Sequence, residues 1–210
     1  MRYRRSRAVL ERRLVISSFQ ECEGILDLGC GEGVYVPYLL ERASEVVGLD
    51  FSVGRLKKTK EKKIDVVLAD ASHLPFRDNS FDIIWASELI EHTPSLGVFG
   101  KLERVARKMV AVTVPNPKGP YYRRDPTHIL RYDIYTLQAN LSQRPWRYKI
   151  HGLGLCLPYR VFPNPLRRLL LQLTWNRPSL AFNLLITGEP QNDEAEGSLL
   201  MRRPPGKLET

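Results

Sequence analysis

The segment Ile25-Leu26-Asp27-Leu28-Gly29-Cys30-Gly31-Glu32-Gly33 constrains this chain more than any other. A short apolar run ends in an acid, and three glycines then alternate with other residues. Further on, a second apolar run, Val46-Val47-Gly48-Leu49, ends in Asp50. A strand, a tight glycine turn and a helix start can hold a nucleoside-bearing ligand, while the second strand presents its acid to the ribose. A third acid, Asp70, follows another apolar run and extends the pattern.

The glycine spacing narrows the ligand. A dinucleotide fingerprint reads G-x-G-x-x-G and brings the backbone against a pyrophosphate. Here the order is G-x-G-x-G, with Asp27 two positions before the first glycine. An acid at that point repels a phosphate and attracts an amine across a poorly screened pocket. No G-K-[ST] occurs, so a P-loop is excluded. The expected ligand carries a ribose and a positive end.

Apolar runs and their punctuation predict strands over 24–28, 45–49, 64–69, 81–86, 109–114, 146–150 and 179–187. Helices are expected over 4–20, 34–42, 53–62, 96–108, 131–141 and 165–175. The early strands are continuously apolar, as parallel strands buried on both faces are. The fold class is therefore α/β, a doubly wound sheet. A chain of 210 residues, 43% hydrophobic, suits one domain, assigned to 1–188 with a polar tail over 189–210. Residues 153–178 are an insertion rich in Pro, Leu and Arg, read as a lid or a dimer contact in preference to a membrane-surface helix.

No run of about 18 apolar residues appears, so no membrane span is expected. The arginine-rich start lacks an apolar segment behind it, which argues against a secretory signal and for the cytoplasm. Cys22, Cys30 and Cys156 show no C-x-x-C spacing, so neither a disulfide framework nor a zinc site is expected, and no metal is assigned. The net charge of +9 leaves RNA open as a partner without requiring it.

Residues 24 to about 115 resemble a class I S-adenosylmethionine-dependent methyltransferase of the group with small Rossmann-like domains. The resemblance is carried by Asp27-Leu28-Gly29-Cys30-Gly31-Glu32-Gly33, Gly48-Leu49-Asp50-Phe51-Ser52, Ala69-Asp70-Ala71 with Leu74-Pro75-Phe76, and Asn79 to Ala86 followed by Glu88-Leu89-Ile90-Glu91-His92. It implies a mostly parallel seven-stranded sheet with an antiparallel last strand, and S-adenosylmethionine as cofactor. Asp27 would orient the methionine amine, Gly29, Cys30 and Gly31 would let the backbone approach, and Asp50 would accept from the ribose hydroxyls. Asp70 and Ala71 would bond the adenine, Phe51 and Leu74 would flank it, and Ser87 would line the pocket at the end of strand four.

The acceptor side is expected where the loops after strands four and five emerge at the carboxyl edge of the sheet. His92 and His128 are the candidate catalytic residues there, with Tyr121, Tyr122 and Tyr159 as possible pocket walls. After strand four the chain reads Ala86-Ser87-Glu88-Leu89 and lacks the N-P-P-Y or D-P-P-Y platform that stacks a flipped base. A small-molecule or lipid-like acceptor is expected, with tRNA or RNA, or cofactor binding without catalysis, as alternatives.

Overall fold

The computed structural model describes residues 11–117, 122, 125–130, 132–155 and 173–191. Seven strands form one sheet: β1 (Cys22–Leu28), β2 (Ala43–Asp50), β3 (Asp65–Leu68), β4 (Phe81–Ser87), β5 (Ala106–Pro115), β6 (Trp146–Leu155) and β7 (Ala181–Pro190). Their order is β3-β2-β1-β4-β5-β7-β6. The pairs from β3 through β5 are parallel, and β7 runs antiparallel to both β5 and β6. The expected doubly wound sheet with an antiparallel last strand is present.

Among the described residues the helices are α1 (described over residues 11–17), α2 (Val36–Leu39), α3 (Val53–Lys60), α4 (Val98–Val105) and α5 (Ile134–Leu141), with a further helical turn over 173–176. The helices α2 to α5 are each shorter than their sequence patterns suggest. At 106–108 the expected helix end is instead the start of β5, because Ala106 pairs with Phe81. The sixth strand is longer than the expected 146–150: it follows β7 from Trp146↔Pro190 to Leu155↔Ala181, where cross-strand pairing overrides local composition. Residues 153–155 thus belong to the sheet and not to an insertion. The remaining lid residues up to 172, and the tail from 192, lie outside the described residues. Asp133 caps α5 by accepting from Thr136 N at 2.7 Å.

Strand periodicity splits the core into two layers. Leu26, Leu28, Ile84 and Ala86 face α4 and α5 with Phe99, Leu102 and Leu137. Ile25, Ile83 and Trp85 face the other way, packed by Val15, Ile16 and Phe19 of the α1 region and by Leu39. Trp85 is fully buried, with Phe19 and Tyr35 edge-on at 5.9 and 5.8 Å between centroids. Strand order reverses between β1 and β4, so the crevice at their carboxyl ends is the natural ligand position.

Candidate functional site

The glycine turn closes onto the end of β2. Gly29 N and Cys30 N both donate to Leu49 O, at 2.8 and 3.0 Å, and Gly33 N donates to Cys30 O at 2.8 Å. Asp50 locks the turn from below. It is 4% exposed, and its Oδ2 accepts from Gly31 N while its Oδ1 accepts from Ser52 N, both at 2.9 Å. A carboxylate has about four acceptor positions, so these two bonds leave room for ribose hydroxyls. Thr59 of α3, fully buried, donates from Oγ1 to Gly31 O at 2.7 Å. The sequence pattern did not single out this brace.

Gly31 takes φ +56°, and a Cβ built there would meet nothing within 4 Å. Space lies beside its backbone, as an approaching ligand requires. Gly31→Ala is expected to cost about 1–2 kcal/mol of stability through left-handed backbone strain. Its methyl group would also enter that space, so cofactor affinity should fall more than stability does. Thermal unfolding and calorimetry on the same variant separate the two effects.

Asp27 lies inside β1, 1% exposed, and its Oδ2 has no hydrogen-bond partner among the described residues. Burial, then the charge of Asp50, pushes its carboxyl up to about 7. A buried acid with an unused oxygen suits a cationic amine. Cys30 is buried, and desolvation ahead of the charges of Asp27 and Asp50 pushes its thiol up to about 12. That agrees with a small packing residue and not a nucleophile.

The adenine-side residues lie near the ends of β2 and β3. Phe51 is 73% exposed, an aromatic face left open to a flat partner, whereas Leu74 is buried in the core. Asp70 is exposed, and its Oδ1 accepts from Ser72 N at 2.6 Å. Hydrogen bonds from the Ser72 backbone and side chain hold its carboxyl below the usual range. Ala71 follows it, partly buried against the core.

At the end of β4 the structure supplies a residue that the sequence reading missed. Arg12 of α1 is 1% exposed, and its Nε donates to Ser87 Oγ at 2.8 Å and to Thr113 Oγ1 at 3.3 Å. Ser87 and Thr113 are register partners, with their oxygens 2.9 Å apart. Arg12 also pairs with Glu88 at 2.5 Å. The apolar stripe expected of the first helix is Val9, Leu10, Leu14 and Val15; Val9 and Leu10 lie outside the described residues, among which the buried face is Arg12, Val15, Ile16 and Phe19. An arginine in phase with that i, i+3, i+4, i+7 stripe was the available signal.

Glu88 takes φ +54°, an uncommon conformation for a side chain of that size. It turns the chain sharply, so Ile90–His92 crosses the carboxyl edge as a single turn of 3-10 helix. Ile129 N and Leu130 N both donate to Glu91 O, at 2.9 and 3.0 Å, and pin the second loop against the first. His92 and His128 therefore meet, with rings 5.1 Å apart. Each Nδ1 lies 3.0 Å from a carbonyl oxygen, of Thr127 and of Tyr122 respectively. Glu91 is fully buried between them and is a second residue the sequence reading left without a role. Its own burial, followed by the charge of Glu88, pushes its carboxyl up to about 9. Tyr122 is buried, donating to Leu130 O at 2.6 Å, and so supports the loop. Tyr121 and Tyr159 lie outside the described residues.

The family profile described as "Methyltransferase domain" matches residues 26–116. The chain is 29% identical over 145 residues to a demethylmenaquinone methyltransferase from Paenarthrobacter aurescens, covering 65% of this chain and 57% of that protein. It is 38% identical over 93 residues to a sterol 24-C-methyltransferase from Schizosaccharomyces pombe, covering 40% and 25%. The chain thus spans less than two thirds of the length of these relatives. Among solved structures, a SAM dependent methyltransferase from Archaeoglobus fulgidus shares the fold, with a TM-score of 0.65 at 23% identity, covering 87% of this chain and 94% of that one. S-adenosylmethionine is the cofactor of this family, and the partnerless Asp27 oxygen, the open side of Gly31 and the exposed Phe51 ring all fit it. Residues 26–116 thus carry the methyltransferase-domain profile, on a fold shared with solved S-adenosylmethionine-dependent methyltransferases.

Proposed function

We propose that this protein transfers a methyl group from S-adenosylmethionine to a small-molecule or lipid-like acceptor. The observation that carries this reading is the paired loop system at the carboxyl edge. The turn 90–92 and the segment 125–130 are hydrogen-bonded together and bring His92, His128 and Glu91 beside the glycine-turn crevice's own edge of the sheet. The relatives named for demethylmenaquinone and sterol methylation support a lipid-like acceptor.

On this reading Asp27 binds the cofactor's amine, Asp50 its ribose, and Gly29 to Gly31 the atoms between. Asp70, Ala71 and Phe51 address the adenine, and Ser87 lines the pocket at the end of β4. The sulfonium supplies the methyl group and the leaving group, so the protein's main task is alignment, worth roughly 7–11 kcal/mol in favourable cases. His92 and His128 serve the acceptor, orienting it or easing loss of its proton. We place the protein in the cytoplasm. No described helix is long and apolar enough to cross a membrane.

Calorimetric titration with S-adenosylmethionine and S-adenosylhomocysteine tests the reading. Asp50→Ala removes the ribose acceptor and the bonds to Gly31 N and Ser52 N, and is expected to weaken binding roughly 30-fold, about 2 kcal/mol. Equal affinity in the variant, or no binding to the folded wild type, overturns the cofactor site. Turnover that falls steeply with salt would point to RNA as acceptor, because phosphate contacts release counterions.

A further inference from the structure

The least explained group among the described residues is Glu91. It is fully buried, and neither Oε1 nor Oε2 has a hydrogen-bond partner there. Such groups are rare in folded proteins, and a bound ion or water is a standard partner for them. Protonation does not resolve the matter, because the acid's O–H would then be the unsatisfied group.

The surroundings match a cation. Glu91, His92 and His128 each offer a ligand atom within 4.8 Å of the others. Ligands about 2.0–2.2 Å from a metal lie roughly 3–4 Å apart, so rotamer adjustments of about an ångström would close the set. Both imidazoles are poised for this. Because a carbonyl only accepts, the contacts of His92 Nδ1 with Thr127 O and of His128 Nδ1 with Tyr122 O place the proton on Nδ1. Each Nε2 keeps its lone pair, and a tied Nδ1–H is the usual support of a ligating histidine. Asp125 Oδ2, 3.9 Å from His128 Nε2, adds negative charge nearby. Glu88 is engaged by Arg12 and stays outside the set.

We propose that Glu91, His92 and His128 bind one divalent cation of borderline softness, such as zinc, on the acceptor side of the methyltransferase site. Two imidazoles and one carboxylate favour such ions over magnesium or calcium. Three protein ligands leave a position open, the arrangement of catalytic and not structural metal sites. There the cation can hold an acceptor oxygen and make its hydroxyl more acidic. The role in acceptor activation rests on the function proposed above, whereas the ion site itself does not. Cysteine spacing gave no hint of it, because its ligands are nitrogen and oxygen donors from two loops.

The test uses the full chain after removal of metals by a chelator. Zinc, manganese and magnesium are titrated calorimetrically, cobalt is followed by its visible absorption, and S-adenosylhomocysteine is titrated in parallel. One equivalent of zinc is expected, with magnesium much weaker and cobalt showing bands typical of nitrogen ligation. Glu91→Gln and the double variant His92→Ala/His128→Ala should each weaken zinc binding by roughly 100-fold or more, while still binding S-adenosylhomocysteine as proof of folding. Cofactor binding without metal uptake by the wild type overturns the proposal, as does uptake unchanged in both variants. Metal uptake that depends on these residues without cofactor binding would support the ion site and sink the methyltransferase reading instead.

Discussion

Arg12→Ala is expected to destabilise the protein by about 3 kcal/mol, lowering Tm by roughly 6–12 °C. Arg12 is 1% exposed and joins α1 to Ser87 of β4, Thr113 of β5 and Glu88. Removing one partner of a buried ion pair typically costs about 3–5 kcal/mol, chiefly because the other charge remains buried. Here the Glu88 side chain is 37% exposed and can turn partly to water, which places the cost at the lower end. Loss of the donor to Ser87 and Thr113 and the cavity left by the side chain act in the same direction. Thermal and denaturant unfolding measure the total. A double-mutant cycle with Glu88→Gln isolates the pair. A change in Tm of under a degree would show that α1 is not held by Arg12. Since Ser87 and Glu88 begin the loop that carries Glu91 and His92, cofactor affinity should fall as well.

Asp27→Asn should have opposite effects on stability and binding. The folded carboxyl lies at about 7 against 3.8 for the free group, because burial and Asp50 disfavour its charge. For an acid raised in this way, the folded state binds the proton more tightly than the unfolded chain does. The protein is therefore most favoured below pH 3.8 as far as this group is concerned, and it loses stability as pH climbs toward about 7. The penalty at neutral pH is at most about 4 kcal/mol, and asparagine, close in shape and uncharged, removes much of it. A higher Tm is expected for the cofactor-free variant at pH 7.5, with little difference at pH 4.

Binding should move the other way. A cationic amine needs the carboxylate, so wild-type affinity for S-adenosylmethionine should rise with pH through about 7 and then level off. The asparagine variant should bind at least about tenfold more weakly and without that rise. Calorimetry between pH 5.5 and 8.5 reads both. A flat wild-type profile, or a variant no more stable than the parent at neutral pH, would remove Asp27 from the amine site. Both outcomes together would describe a residue whose burial costs stability and serves binding, as functional residues often do.

The strand ends and the glycine turn that carry the candidate cofactor residues were legible because their requirements are local. Asp27, Gly29, Gly31 and Asp50 lie at strand ends or in the turn, and alternation of apolar residues with punctuation locates strand ends well. Helix lengths were less legible: patterns that continue for another turn, as at 106–108, yield when strand pairing claims the residues. Arg12 escaped notice because an arginine-rich segment reads as a solvated face, and only the packing of α1 against Trp85 shows which arginine turns inward.

By itself, the sequence determined the α/β architecture and the ribose and positive end expected of the ligand, because these follow from short-range periodicity and from glycine and acid spacing. Only the tertiary structure decided the acceptor side. Glu91 and His92 lie far in the chain from His128, and nothing in either segment alone says that they meet. They are joined by Glu91 O accepting from Ile129 N and Leu130 N, after the left-handed turn at Glu88 has carried the chain across the sheet edge. Burial then turns an ordinary glutamate between two histidines into a group that demands a partner. That demand arises from desolvation, which a linear sequence does not display.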